Sequence, residues 1–320
     1  MKILAIQNRM GIGDTIIFLP FIKALSKKFN SPISLLVKEN SKADQYLFET
    51  EYIDEILILK RDIKLDNRHG GIFGFFNLIK DIKKYNFEKI IIFNSSFRYY
   101  LVAKFSGISE LYQYPLFKKT KQHIVNTPRE FMKSKLKLDV NEDPEIQINE
   151  RLVADTINKF QMNKNELNIL LGIGGSGPTK RIPASTFLNL IKKILNFKKC
   201  KFFLATGKSE GEQNILEEIL GSEFKNYCIP LDNLTIKETL PIIKNCNLSV
   251  CNDSSFSHLS AALGIKTITL MADTPIIYGN YNSKMFPIIP DGEETVTHNT
   301  LGKDKINSEK ILNKIFEILN

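Results

Sequence analysis

The sequence lacks any long apolar run, any tryptophan and any close pair of cysteines. No segment approaches the ~18 apolar residues that a membrane-spanning helix needs. The first apolar segment is followed too soon by Gln7, Asn8 and Arg9 for a secretory signal peptide. The four cysteines form no Cys-x-x-Cys pair, so neither a zinc site nor a redox motif is indicated. We therefore expect a cytoplasmic protein whose thiols pack in its core.

The charged residues are unbalanced toward the basic side. Lys and Arg number 44 and Asp and Glu number 35, which gives a formal net charge of +9. This excess fits a solvated lysine-rich surface, and it also fits attraction to an anionic partner such as a membrane leaflet or a phosphorylated substrate. The lysines are dispersed, and no aromatic-plus-basic motif of a nucleic-acid reader occurs. We expect no nucleic-acid partner.

The length of 320 residues predicts two domains, because a single core rarely grows so large. Short apolar runs alternate with stretches of helical spacing in both halves. Strands separated by helices imply parallel sheets covered on both faces, so we expect an α/β fold with domains over 1–150 and 151–320. The predicted strands are 3–6, 33–37, 56–59, 89–93, 167–173, 201–205, 227–229, 248–251 and 267–270. The predicted helices are 15–29, 42–48, 73–85, 151–160, 184–195, 211–219, 236–243, 255–263 and 308–319.

The first candidate site is the loop that follows the first strand. Gly11 and Gly13 let the backbone approach a ligand at the carboxyl end of that strand. Asp14 has two interpretations, a simple helix N-cap or a carboxylate that takes a proton from a hydroxyl. A dinucleotide fingerprint fails here, since Ile16 stands where a third glycine is required.

The second candidate site is the glycine-rich loop at 172–177, directly after the first strand of the second half. Its spacing matches a dinucleotide fingerprint, but Pro178 and Pro183 delay the helix and no acidic residue ends the next strand. The segment 206–209 resembles the end of a Walker loop, but the first glycine that this motif requires is absent. A turn followed by a threonine and two cations at 179–181 can hold phosphate, or the two cations can simply be solvated.

The third candidate site is the polar segment 252–258, which joins a buried strand to a helix. Asp253, Ser254 and Ser255 crowd the start of the helix, where free amides and the helix dipole favour an anion. His258 alone is typical of a structural hydrogen bond, but with the polar residues before it the segment fits a diphosphate. No nucleophile elbow of the Gly-x-Ser-x-Gly type occurs.

Together these segments resemble the lipopolysaccharide heptosyltransferase family, glycosyltransferase family nine, over nearly the whole chain. The resemblance implies a GT-B fold, which has two Rossmann-like domains with parallel sheets facing a central cleft. It implies an inverting, metal-independent glycosyltransferase that moves a sugar, typically heptose from ADP-heptose, to a lipopolysaccharide core or related bacterial surface glycan. The residues that carry it are Gly11-Ile12-Gly13-Asp14 with Pro20, Lys180-Arg181-Ile182-Pro183, 253–259 with Ala261-Ala262-Leu263-Gly264, and the closing helix.

The resemblance also assigns roles to residues. Asp14 would be the base on the acceptor hydroxyl, Lys180 would steady the donor phosphates, and amides at the start of the 255–263 helix would stabilise the leaving ADP. Glu210 or Glu212 would contact the ribose. The implied donor-binding residues are Gly174, Gly175, Ser176, Thr179, Lys180, Glu210, Glu212, Asp253, Ser254, Ser255, Phe256 and His258. The implied acceptor-binding residues are Gly11, Gly13 and Arg98.

The implied partners are a nucleotide sugar and a lipid-linked or oligosaccharide acceptor, with at most peripheral contact with the inner membrane leaflet. We expect the first domain to bind the acceptor and the second to bind the donor, with no metal and no cofactor besides the ADP-linked co-substrate. The last helix, about 307–319, is expected to pack back on the first domain. Cations that could meet a phosphorylated acceptor or the leaflet, or merely be solvated, are Arg98, Lys104, Lys118, Lys119, Lys121 and Arg129.

Two departures leave the donor sugar and nucleobase open. Ser255 stands where many family members have glycine, and the loop at 271–275 replaces a Gly-Pro-Thr type of loop. Two alternatives therefore stay beside the heptosyltransferase interpretation. One is another GT-B enzyme, either a UDP-sugar transferase or an epimerase. The other is a sugar-nucleotide-binding protein that kept the fold without the reaction.

Overall fold

A computed structural model describes residues 1–61, 67–116, 123–162 and 165–319. By internal contacts the chain divides into two compact units, Met1–Gln147 and Ile148–Asn320. Each unit has its own parallel sheet with helices, which confirms the predicted α/β class with two Rossmann-like domains. Within the described ranges, no helix is long and apolar enough to cross a bilayer.

The first unit has the sheet order β3-β2-β1-β4-β5, and every pairing in it is parallel. Its described strands are β1 (Ile3–Ile6), β2 (Ile33–Lys38), β3 (Ile53–Leu59), β4 (Lys89–Ile92) and β5 (Glu110–Gln113). Its helices are α1 (Ile12–Phe29), α2 (Gly71–Lys83), α3 (Phe97–Phe105) and α4 (Asn126–Leu136).

The central strands of the first unit are continuous apolar runs because both faces of the sheet are covered. All four residues of β1 are buried, as are the first five of β2. Ile6 pairs with Leu36 on one side and with Ile92 on the other, so β1 and β4 end side by side. The chain reverses its strand order between β1 and β4, and a ligand site is expected at such a switch point.

The second unit has the order β11-β10-β9-β6-β7-β8, again with parallel pairings throughout. Its described strands are β6 (Leu167–Gly172), β7 (Cys200–Ala205), β8 (Cys228–Pro230), β9 (Leu248–Asn252), β10 (Thr267–Leu270) and β11 (Met285–Ile288). Its helices are α5 (Glu150–Lys159), α6 (Ala184–Phe197), α7 (Glu210–Leu220), α8 (Ile236–Lys244), α9 (Ser255–Ala262), α10 (Ile277–Asn280) and α11 (Ser308–Leu319).

The switch point of the second unit lies between β6 and β9. Gly172, the last residue of β6, pairs with Ala205 of β7 and with Cys251 of β9. The glycine-rich loop and the 252–258 segment, which are far apart in sequence, therefore begin on neighbouring strands. All four cysteines of the chain lie in this unit, and all four are buried with free thiols.

One predicted helix needs correction. The helix expected at 42–48 is absent from this described stretch, which instead forms short 3₁₀ turns at Glu39–Ser41 and Ala43–Gln45. Lys42 between them has a left-handed φ of 45°, which interrupts helical geometry. The packing of the last helix on the first domain stays a prediction, while the helix itself contributes to the core of the second unit. Ile311, Leu312 and Ile315 of α11 belong to the buried core of the second unit.

Candidate functional site

The start of α1 places Asp14 at the carboxyl edge of the first sheet. Gly11 is the N-cap of the helix, with φ 101° and no side-chain capping bond. The N-cap interpretation of Asp14 is therefore wrong, because Asp14 is the third residue of the helix. Gly13 lies beside it in the same half-buried turn. A carboxylate in the first turn meets the positive end of the helix dipole, which favours its negative charge.

Several side-chain amides form hydrogen bonds at the same edge of the sheet. The Gln7 side chain donates to the main-chain oxygen of Asp14 at 3.2 Å. The Asn94 amide, which follows β4, donates to the Asn8 side chain at 3.1 Å, and this bond joins the ends of β1 and β4. Gln113 at the end of β5 donates to the main-chain oxygens of Asn94 and Ser96 at 3.1 and 2.9 Å. The loops around Asp14 are thus fixed by hydrogen bonds.

Arg98 is tied to the loop that precedes α2. Its guanidinium donates to the main-chain oxygens of His69 and Gly71, each at 2.8 Å, and lies 5.6 Å from the centre of the Phe75 ring. Burial, with a further contribution from the charge of Arg61, lowers the pKa of Arg98. The two backbone bonds give Arg98 a structural role, and its contact with an acceptor stays a prediction. Lys118, Lys119 and Lys121 lie outside the described residues.

The second unit brings Lys180 and Asp253 together across the switch point. The Lys180 ammonium lies 2.7 Å from the Asp253 carboxylate. The Asp253 side chain is only 5% exposed, whereas that of Lys180 is 24% exposed. Burial is the largest single influence and acts to raise the pKa of Asp253. The charge and hydrogen bond of Lys180, with smaller contributions from His258 and Thr274, together outweigh it, so the pKa lies below its ordinary value. The ammonium keeps a solvent-accessible side on which an anion can bind.

His258 extends this pair toward Tyr281. Its Nε2 lies 4.0 Å from the Asp253 carboxylate and its Nδ1 lies 2.7 Å from the Tyr281 hydroxyl, with the two rings stacked. Burial lowers the pKa of His258 to about 4, although the Asp253 carboxylate acts in the opposite direction. The imidazole is therefore neutral at pH 7. Lys180 supplies the positive charge of this cluster.

Glu212 connects the two glycine-containing loops of the second unit. Its carboxylate accepts from the main-chain nitrogen of Gly175 at 3.0 Å and from that of Gly207 at 3.3 Å. The same side chain forms a capping box with Ser209 at the start of α7. A Cβ at Gly174 would lie 2.6 Å from this carboxylate, so the close approach requires glycine there. Glu212 therefore organises the loops through backbone contacts, and its predicted ribose contact stays a prediction.

The remaining predicted donor residues lie in the glycine-rich loop and at the starts of α7 and α9. Gly174 and Gly175 are buried, Thr179 is half-buried, and Ser176 and Glu210 are exposed. Ser254 is the N-cap of α9 without a side-chain capping bond, and Ser255 and Phe256 form the half-buried first turn. The main-chain amides of that turn lie next to Asp253, at the end of β9.

Sequence reasoning missed two residues that build this site, Asn252 and Tyr281. The Asn252 side chain donates to the main-chain oxygens of Ile173 and Gly174 at 2.8 and 3.2 Å and so joins the two loops. Arg181, one of the two cations offered by the sequence for phosphate, donates from Nε to the main-chain oxygen of Gly175 at 3.0 Å, and its contact with phosphate stays a prediction. Asn252 could have been recognised in the sequence as a polar residue at the end of a buried apolar strand. Tyr281 gave no comparable signal, since it lies outside every motif.

The family model of Glycosyltransferase family 9 (heptosyltransferase) matches residues 90–288. The chain is 25% identical over 309 residues to lipooligosaccharide heptosyltransferase 2 of Campylobacter jejuni, which covers 89% of this chain and 93% of that protein. It is 28% identical over 178 residues to lipopolysaccharide heptosyltransferase 1 of Campylobacter coli, a match that spans 53% of this chain and 52% of that relative. The structure of the E. coli ADP-heptose lipopolysaccharide heptosyltransferase II has a TM-score of 0.74 at 19% identity, over 100% of this chain and 98% of that one.

Two parallel-sheet units with polar loops at their switch points, together with the likeness to the E. coli structure, show the GT-B fold class. The family match extends over more than half of the chain. The chain belongs to Glycosyltransferase family 9, the heptosyltransferase family, which confirms the family resemblance of its sequence.

Proposed function

We propose that the protein transfers a heptose from ADP-heptose to a hydroxyl of a lipopolysaccharide or lipooligosaccharide core, with inversion and without a metal ion. The observation that carries this proposal is the Lys180–Asp253 pair at the β6/β9 switch point of a family 9 chain. The curated relatives are named as heptosyltransferases of lipopolysaccharide and lipooligosaccharide, and the E. coli structure is named for ADP-heptose.

In this proposal the first unit supplies the base. The acceptor hydroxyl gives its proton to the Asp14 carboxylate while its oxygen bonds to the anomeric carbon of the sugar. The amide contacts of Gln7 and Asn94 hold the backbone of the loop and of the half-buried first turn that carry this carboxylate. A fixed base lowers the barrier because little reorganisation accompanies proton transfer.

The second unit holds the donor and receives the leaving group. As the bond from the anomeric carbon to the phosphate oxygen breaks, its electron pair remains on ADP. The Lys180 ammonium balances the resulting charge, and the amides at the start of α9 donate to the diphosphate. Asp253 is a positioning residue in this scheme, because its carboxylate holds the ammonium at 2.7 Å.

We further propose a cytoplasmic location with peripheral contact with the inner leaflet. The net charge of +9 supports attraction to anionic lipid. The first unit carries basic side chains that can contact anionic head groups, among them Arg98 and Lys104.

The test is a transfer assay with a panel of donors. Purified protein is incubated with a heptose-deficient core oligosaccharide and with ADP-heptose, UDP-N-acetylglucosamine or a GDP-sugar, and products are measured by mass spectrometry. We expect one added heptose from the ADP donor alone. Product from a UDP-sugar would identify another transferase, and an epimerised UDP-sugar an epimerase. Tight ADP binding without product from any donor would identify a binding protein.

A further inference from the structure

Two neighbouring helices of the first unit expose large apolar side chains. We name this surface the α2–α3 apolar patch. Its members are Ile72, Phe73, Phe76, Phe97 and Phe105, which are 77%, 86%, 60%, 46% and 60% exposed. Single exposed apolar residues are ordinary, but five on one pair of packed helices indicate an interaction surface.

The patch is continuous across the two helices. The ring of Phe75 lies 5.2 Å from that of Phe76 on α2 and 6.1 Å from that of Phe105 on α3. Each helix also has a second apolar face that is already buried, with Leu78 of α2 and Val102 of α3 in the core of the first unit. The exposed phenylalanines are therefore additional to the core.

Basic side chains border the patch. Asp81 is the one acidic residue in the sequences of α2 and α3, and its carboxylate is engaged by Arg68 at 2.7 Å and by Lys84 at 2.9 Å. The rim of the patch thus presents positive charge with no acid of these helices left to offset it. The basic residues of α2 and α3 are Lys80, Lys83, Arg98 and Lys104.

Three members of the patch lie at the edge of the sheet that also carries Asp14. Phe97 follows the end of β4 by five residues and begins α3, while Ile72 and Phe73 lie in the first turn of α2. Both helices therefore start at the carboxyl edge of the first sheet, as α1 does. A surface at this edge can hold a lipid-borne molecule while its polar part remains near the Asp14 loop.

We propose that the α2–α3 apolar patch docks the protein on an anionic lipid bilayer, an inference that rests on the proposed function for the identity of the acceptor. Phenylalanine and isoleucine side chains enter the boundary between head groups and acyl chains, and the lysines of the rim bind anionic head groups. In a two-fold contact with a second copy of the chain, the basic rims of the two patches would face and repel each other. A free oligosaccharide fits less well, because the patch members carry no hydrogen-bonding side-chain group.

The first test is flotation with vesicles of phosphatidylcholine mixed with phosphatidylglycerol. The full chain carrying Phe73→Ser and Phe76→Ser is compared with Phe197→Ser, which alters a phenylalanine 68% exposed in the second unit. We expect the double variant to lose vesicle affinity by roughly tenfold or more, since two aromatic side chains no longer enter the bilayer. The Phe197→Ser control should float like the unaltered protein.

The second test changes charge without touching the phenylalanines. Lys80→Glu with Lys104→Glu should abolish the preference for mixed vesicles over pure phosphatidylcholine, whereas Lys225→Glu, an exposed lysine of the second unit, should keep it. Thermal melting of each variant checks that the fold persists. This arm remains informative if the serine variants fail to fold.

Several outcomes overturn the proposal. They are absence of vesicle binding by the unaltered protein, equal binding by the patch and control variants, and a dimer in solution that the patch variant disrupts. A loss of transfer to a soluble core oligosaccharide, with vesicle binding intact, would instead assign the patch to the sugar. Patch-dependent vesicle binding by a protein that transfers no heptose would support the docking surface and refute the proposed function.

Discussion

At the scale of single residues, the candidate donor site is built from contacts between distant parts of the chain, such as the 2.7 Å contact of Lys180 with Asp253. Lys180 and Asp253 each lie in a loop with a recognisable pattern, whereas their contact depends on β6 and β9 being neighbours in the sheet. Tyr281 could not be predicted at all, because its contact with His258 comes from a loop 23 residues further along the chain. Sequence therefore indicates which groups are present, and the topology decides which of them meet.

Asp14 is the residue on which the proposed proton transfer depends. Asp14→Asn keeps the size of the side chain and removes its basicity, so we expect kcat to fall by about 10²–10⁴-fold while ADP binding is unchanged. Asp44→Asn, which alters an exposed acid of the same unit, should keep full turnover. Steady-state transfer kinetics and calorimetric titration with ADP measure the two effects. Near-native turnover of Asp14→Asn would disprove the assignment.

His258 predicts how stability depends on pH. Its folded pKa of about 4 lies below the ordinary value of 6.5, so within this window the unfolded chain binds a proton that the folded protein does not. The free energy of unfolding should therefore fall as pH decreases from 6.5 to 4, by on the order of 3 kcal/mol from this group. The pKa of Asp253 is also lowered, so this group decreases the free energy of unfolding further at more acidic pH.

Urea titrations at several pH values measure this dependence. His258→Gln should flatten the decrease between pH 6.5 and 4, and His298→Gln, at an exposed histidine, should leave it as in the unaltered protein. A slope that is equal in all three proteins would show that His258 is not the responsible group.

At the scale of helices and strands, continuous apolar runs were sufficient to predict the buried strands. β1 and β10 lie at the predicted residues. The edge strands β5 and β11 were missed, because Glu-Leu-Tyr-Gln has mixed polarity and Met-Phe-Pro-Ile contains a proline. Edge strands have fewer partners to satisfy, so their sequences are less constrained than those of central strands.

The capping boxes of α7 and α8 offer a matched comparison. Glu212 and Glu238 each close a box at the third helical position, but Glu212 also accepts from Gly175 and Gly207. Glu212→Ala and Glu238→Ala should both reduce thermal stability modestly through the lost cap. Only Glu212→Ala should raise the KM for the donor, by roughly tenfold, because the glycine-rich loop at 172–177 loses its hydrogen bond from Gly175 to this carboxylate. Equal donor KM values in the two variants would contradict this role.

At the scale of the whole molecule, each unit has a sheet and a core of its own. We expect residues 148–320, expressed alone, to unfold cooperatively and to bind ADP. Lys180→Met in the same fragment should weaken ADP binding by about tenfold or more and leave folding intact, since a charge-assisted contact with phosphate is lost. Calorimetric titration and urea unfolding test both statements. A fragment that lacks a cooperative transition would contradict them.

The distribution of sulfur gives the two halves different sensitivities to chemical modification. Every thiol of the chain lies between residues 200 and 251, and all are buried. Burial raises the pKa of Cys228 and Cys251 to about 12, so the reactive thiolate is scarce in the native protein. A brief pulse of iodoacetamide during chemical denaturation will therefore label the chain when its carboxyl-terminal half opens, whatever the state of the amino-terminal half.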